Sequence, residues 1–226
     1  MSLTDNFKRD PVGFLSTGLL ITQLNINGGP CKLNIKEHVE RGISARLTGG
    51  PPANRKMYVL EPAQGGGTLD AAWLPWQDDG ICSVPLKKDQ RDFLFTFTID
   101  GCSIGIGSPK AGDMLISHAN SASVGDNAFR QSKAVSEQGK IEDAVLAQQK
   151  AQEKQISDHH RGKSAKVDIL APTLYRMNPE TNEFELKGTA FGVRQKDKWA
   201  FYVQRYRIDG DTACIYFHPP LKLMEI

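Results

Sequence analysis

Along most of the chain apolar residues alternate with polar ones, and the alternating runs are cut by glycine, proline and asparagine. A period of two predicts half-buried β-strands. Such runs fall at Gly18 to Ile26, Cys31 to Ile35, Ile43 to Leu47 and Lys56 to Leu60, with a short one over residues 80–86. Gly28-Gly29-Pro30 and Gly49-Gly50-Pro51-Pro52 supply the breaks. Ala71-Ala72-Trp73-Leu74-Pro75-Trp76 reads as an aromatic turn. Gly65-Gly66-Gly67 reads as a flexible loop, without the lysine and following helix of a phosphate cradle. Residues 1–13 read as a polar leader or a short first helix.

A change of texture follows His118. From Asp126 to His160 proline is absent, glycine rare, and alanine, glutamine, glutamate and lysine dominate, which predicts one or two helices. Ile141, Val145 and Ile156 give them only a thin apolar stripe, so the region should lie on the surface. Gly139 and Gly162 mark a break and a stop. Strands resume at Val167 to Met177, Phe184 to Val193, Trp199 to Ile208 and Thr212 to Phe217, with turns at Asn178-Pro179-Glu180, Lys196-Asp197 and Asp209-Gly210-Asp211. That spacing predicts an antiparallel meander. The expected fold is α+β: a mixed β-sandwich with outer helices, in one domain spanning 1–226.

Composition narrows the function classes. Twenty-eight basic and 26 acidic residues leave a net charge of +2, which offers no reason to expect nucleic acid as a partner. No apolar run approaches the roughly 20 residues that span a bilayer, and the first residues lack the apolar core of a secretory signal. The four cysteines, Cys31, Cys82, Cys102 and Cys214, show no CxxC spacing, so neither zinc nor a disulfide framework is indicated.

The candidate chemistry lies in Phe93 to Asn120, FLFTFTIDGCSIGIGSPKAGDMLISHAN. Phe93 to Ile99 alternates as a strand, Asp100-Gly101 breaks it, and Cys102 follows at once. Ser103 to Gly107 and Asp113 to Ser117 flank a turn. Centred on Lys110, that hairpin sets Ile104 opposite Ile116 and Cys102 opposite His118. Directly opposed residues have Cβ atoms roughly 4.5–5.5 Å apart, close enough for a thiol and an imidazole to exchange a proton. A cysteine with a base beside it is a nucleophile, and amides around Gly101 and Ser103 would hold an oxyanion. The alternative is a buried structural cysteine beside an ordinary histidine.

The run Thr96-Phe97-Thr98-Ile99-Asp100-Gly101-Cys102, with a histidine one hairpin later, resembles the glutamine deamidases that include the cytotoxic necrotizing factors, the bacterial chemoreceptor deamidase and Burkholderia lethal factor. Trp73-Leu74-Pro75-Trp76 is similar to a segment at a comparable distance before the cysteine of the lethal factor. The resemblance covers about residues 56–120. It implies a deamidase-toxin fold and a secreted virulence effector, delivered without a cleavable signal and active in a target-cell cytoplasm. It also implies a Cys102–His118–Thr96 catalytic set, no cofactor, and a protein substrate such as a translation-initiation RNA helicase or a Rho-type GTPase, acted on by a monomer. Asp100 departs from the small residue of that family, and a carboxylate there would raise the thiol pKa. Six extended residues span roughly 20 Å, so Thr96 reaches the site only if Asp100-Gly101 folds the chain back or His118 bridges toward it. Trp73 and Trp76 are expected beside the site. Asp158-His159-His160 reads as a solvated helix end.

Overall fold

Ten strands form one mixed sheet that curls until its ends nearly meet, and a four-stranded antiparallel sheet packs on its outer face. The computed structural model describes residues 2–51, 53–63, 68–87, 91–109 and 112–226; the Gly65-Gly66-Gly67 loop and the expected hairpin centre at Lys110 lie outside these. In chain order the elements are α1 (Leu3–Arg9), α2 (Pro11–Ser16), β1 (Gly18–Ile21), β2 (Gly29–His38), β3 (Ser44–Leu47), β4 (Lys56–Pro62) and β5 (Leu69–Leu74). There follow β6 (Ile81–Leu86), β7 (Phe93–Thr96), β8 (Ser103–Pro109), β9 (Met114–Ala119), α3 (Ala122–Gln131) and α4 (Glu137–His160). The chain ends with β10 (Ser164–Leu170), α5 (Pro172–Tyr175), β11 (Met177–Asn178), β12 (Glu183–Phe184), β13 (Lys187–Gln195), β14 (Lys198–Asp209), β15 (Cys214–Phe217) and β16 (Leu221–Glu225).

The large sheet runs β1-β4-β2-β5-β7-β13-β14-β15-β3, with β16 on the other half of β14. A bridge between Ala45 of β3 and Arg55, just ahead of β4, draws the ends together. Buried side chains finish the closure. From β14, Gln204 donates to the carbonyls of Leu15 (2.8 Å) and Gly18 (2.7 Å) and accepts from the Leu20 amide (2.9 Å). From β13, Thr189 donates to the Leu20 carbonyl at 2.8 Å. The backbone at the open edge of β1 is thus satisfied without a neighbouring strand.

Of the two expectations for residues 1–13, the short first helix is the one found, over Leu3–Arg9. Ser2 and Asp5 form a reciprocal cap on α1, which plugs the barrel with Phe7. The Phe7 ring lies 5.5 Å from Phe93 and 6.0 Å from Phe95. Burying such a ring stabilises the fold by about 1.5–3 kcal/mol.

Alternation sorts the side chains of the large sheet into two layers. Trp73, Phe93, Phe95 and Phe191 fill the barrel, while Leu74, Leu94, Ile99, Phe201 and Val203 meet Val84, Ile104, Ile106 and Ile116 of the smaller sheet, ordered β10-β8-β9-β6. The other face of that smaller sheet receives α4. Gly105 and Gly107 leave room there, since a Cβ on either would lie within 2.5 Å of helix or loop side chains. His160 fills the space, bonded to Ser117 (2.8 Å) and Ser164 (2.9 Å).

Several expectations need correction. Ala71 to Leu74 belong to the central strand β5, and only Pro75-Trp76 turn away. Within the expected strand Val167 to Met177, Pro172 opens the helical turn α5. The helical region divides at Ser132 to Ser136, not at Gly139, whose amide instead donates to the Ser136 cap. Gly162, with φ +76°, does end α4. His160 is buried, so His159-His160 is no solvated helix end.

Candidate functional site

The chain crosses between the two sheets at two places that lie side by side. Pro75-Trp76 leads from β5 to β6, and residues 97–102 lead from β7 to β8. Phe97 ties the crossings together, stacked on Trp76 at 6.0 Å and edge-on to Trp73 at 6.5 Å. Cys102 ends the second crossing.

The turn before the cysteine is clamped from three sides. Ile99 and Gly188 exchange backbone hydrogen bonds of 2.8 and 2.9 Å, anchoring the crossing to β13. Gly101 adopts φ +86°, a left-handed backbone that favours glycine. From α4 the fully buried Gln152 donates to the Gly101 carbonyl (2.8 Å) and accepts from the Ser103 hydroxyl (2.6 Å). The Tyr175 hydroxyl donates to the Cys102 carbonyl at 2.9 Å.

The hairpin forms in a register two residues from the expected one. Ile104, not Cys102, lies opposite His118, and the last pair is Ser103 with Ala119. A two-residue offset keeps the same face, so Cys102 falls diagonal to His118, a relationship of roughly 7–8 Å. On the other flank of β9 the residue directly opposite His118 is Cys82. Nothing in the sequence singles out Cys82: its alternation with Val84 and Leu86 marks the face, but nothing local announces the β6–β9 pairing.

Pro75 and Trp76 link the two candidate groups. The Trp76 indole lies near enough to the Cys102 thiol to pull its pKa down, and the Pro75 carbonyl faces the His118 ring. Thiol and imidazole thus flank a single dipeptide.

Both groups rest uncharged. Cys102 is 2% exposed and His118 1%, in place of the open pocket expected for a nucleophile. Burial pushes the thiol up to about 12, against the smaller opposing pull of the Asp100 backbone N–H, the Trp76 indole and Arg176. Burial brings His118 down to about 3, the Pro75 carbonyl opposing it, and neither ring nitrogen has a well-formed hydrogen bond. The resting pair is a neutral thiol beside a neutral imidazole.

The remaining candidates fall around this pair. The Asp100 carboxylate raises the thiol pKa, yet it is turned to Lys187 (2.8 Å) and Arg176 (3.5 Å). The backbone amide that lowers the thiol pKa is that of Asp100, whereas Gly101 presents its carbonyl to Gln152. Ser103 begins β8 and gives its hydroxyl to Gln152. Thr96 lies level with Leu74, and its hydroxyl donates to the Phe97 carbonyl at 2.9 Å. Trp76 is 43% exposed and covers the thiol, while Trp73 is fully buried in the barrel. Among the described residues no helix is long and apolar enough to cross a membrane, and no group of three or more His, Cys, Asp or Glu side chains is placed to hold a metal ion.

No protein-family model matches the chain, and no curated protein matches it significantly.

Proposed function

We propose that this chain is a protein-glutamine deamidase of the lethal-factor and necrotizing-factor type, working through Cys102 and His118. The observation that carries the reading is the Pro75-Trp76 dipeptide, whose carbonyl faces the imidazole and whose indole lies close enough to the thiol to lower its pKa. The resemblance around the cysteine points to the same pair.

In this mechanism the substrate displaces the Trp76 ring and its glutamine side chain enters the inter-sheet layer. His118 takes the thiol proton, and the Cys102 sulfur attacks the carboxamide carbon. The Asp100 amide and the Trp76 indole supply hydrogen-bond donors for the negative charge. The proton passes to the departing nitrogen, ammonia leaves, and a thioester remains. Water, deprotonated by His118, then cleaves the thioester to glutamate and restores the thiol. If an amine replaces water, the same thioester yields a cross-link, so the products separate deamidation from transglutamination. Thr96 serves through the Phe97 carbonyl, steadying the chain where it leaves β7 toward the cysteine. The substrate is a protein of a target cell, with a translation-initiation RNA helicase or a Rho-type GTPase as the first candidates to test.

A second reading is favoured by the burial of Cys102: a binding module of the same fold with an inert thiol. Incubation with a eukaryotic lysate, followed by mass spectrometric mapping of Gln-to-Glu conversions, separates the two. The enzyme gives a gain of about one dalton on a discrete target, lost in Cys102→Ser. Conversion that persists in Cys102→Ser rules out the mechanism, and a lysate without conversion supports the binding module.

A further inference from the structure

At the far end of β14 the outer face of the large sheet carries an arginine-rich row. Arg207 on β14 lies opposite Tyr216 on β15, and Tyr216 opposite Arg46 on β3. The Arg207 guanidinium stacks on the Tyr216 ring at 4.6 Å, which leaves its N–H edges free of the ring. These three side chains, with Thr48 and the Gly49-Gly50 turn, line a hollow of about 220 Å³.

The ion pairs of the described arginines belong to Arg91, Arg161, Arg176 and Arg194, and Arg46 and Arg207 are not among them. The Nε of Arg46 and the hydroxyl of Thr48 are buried without a hydrogen-bond partner. Buried donors of this kind are costly unless something accepts from them. Arg205 adds charge nearby: His218 is held below its ordinary pKa first by burial and then by Arg205 and Arg207, with Glu180 opposing them. Two carboxylates are close. Glu180 lines the hollow, and Asp209 follows Arg207 along the strand with its carboxylate taken by the amides of Asp211 and Thr212.

We infer that this hollow is a binding site for a phosphate group, either free phosphate or the phosphate of a small monoester. Phosphate brings several strong acceptor oxygens, which match the forked donors of two arginines and a hydroxyl at close quarters. Its charge exceeds that of Glu180, which accounts for a carboxylate on the rim of a basic hollow: Glu180 tempers the arginines without occupying them. The site stands apart from the Cys102–His118 pair and holds whether or not that pair is catalytic.

The test is titration of the full chain with inorganic phosphate, adenosine monophosphate and phosphoserine, followed by backbone-amide NMR and calorimetry. Saturable binding should shift the amides of Thr48, Gly49 and Gly50. Arg46→Gln and Arg207→Gln should each weaken it by about tenfold or more, as expected for loss of a charge-assisted fork. Arg207→Lys, which keeps charge but not the fork, should fall between. Glu180→Gln should tighten binding, a gain that misfolding cannot imitate, and Lys36→Gln should leave it unchanged. Stronger binding of either ester than of phosphate identifies the carrier; equal binding shows that phosphate alone is read. Absence of saturable binding by all three probes, or binding insensitive to Arg46 and Arg207, overturns the assignment.

Discussion

Trp76 brings its indole close enough to the sulfur of Cys102 to lower the thiol pKa while leaving 43% of its own surface in solvent. One residue therefore both stabilises the thiolate and shields it from reagents. These two roles pull in opposite directions, and burial is the larger influence on the thiol. Trp76→Ala should speed alkylation of Cys102 by iodoacetamide at pH 8 by about tenfold or more, one pKa unit being a factor of ten in thiolate fraction. Trp76→Phe should keep the cover, lose the donor and slow alkylation. Mass spectrometry of labelled peptides resolves Cys102 from the other three cysteines. Labelling unchanged in Trp76→Ala would show that the ring is not the barrier.

Asp100 acts on the same sulfur from the turn. Its carboxylate raises the thiol pKa and Arg176 lowers it. Neutralising the carboxylate in Asp100→Asn removes the first effect and frees Arg176 from its partner. The thiol pKa should fall, and the pH–rate profile of alkylation should move to lower pH. A profile displaced upward would mean that the ion pairs with Arg176 and Lys187 matter more for holding the turn than for tuning the sulfur.

Acid should destabilise the fold through its buried histidines. His118 lies at about 3 and His160 at about 4 when folded, against an ordinary value of 6.5. Below pH 6.5 the unfolded chain takes up protons at these rings that the folded chain refuses, so stability falls with pH from 6.5 down toward those values. Each ring contributes about 1.4 kcal/mol per pH unit within its window. Chemical denaturation at pH 7 and pH 4 should show the loss, and His118→Leu should shrink it. An equal loss in that variant would place the acid sensitivity elsewhere.

Closure of the large sheet rests on Gln204. Gln204→Leu leaves the carbonyls of Leu15 and Gly18 and the amide of Leu20 without their buried partner. We expect destabilisation of about 3–5 kcal/mol, consistent with several unsatisfied backbone groups, and faster amide exchange at Leu20. Protection at Leu20 equal to that of the parent would show that β1 is held by β4 alone.

How much of this was legible in the sequence depends on the range of the interaction. The alternation of Ser103 to Gly107 and Asp113 to Ser117 assigned both strands and the face shared by Cys102 and His118, because side-chain period survives a two-residue slip. The exact partner did not survive it. Moving the hairpin centre by a single residue replaces Cys102 with Ile104 opposite His118, and alternation is blind to that choice. The aromatic segment before Pro75 was misread because Ala71 and Ala72 carry little strand preference, although burial between β2 and β7 makes them strand. Cys82 beside His118, and Gln152 under Gly101, depend on pairings between distant segments. No local pattern encodes either. The resemblance to glutamine deamidases named the residues around the cysteine, and the fold adds that Pro75-Trp76 touches both members of the pair.

The smaller sheet has consequences through its two unlike sides. Cys102, Ile104 and His118 look toward the barrel, while Ser103, Gly105 and Ser117 look toward α4. A one-residue slip of β8 against β9 would therefore exchange the two environments along a whole strand. Sulfur chemistry would be carried under the helix, and hydroxyls into the oily layer. Only a slip of two residues keeps each side chain on its own side, so the register of the β8–β9 pairing guards which groups meet in the inter-sheet layer.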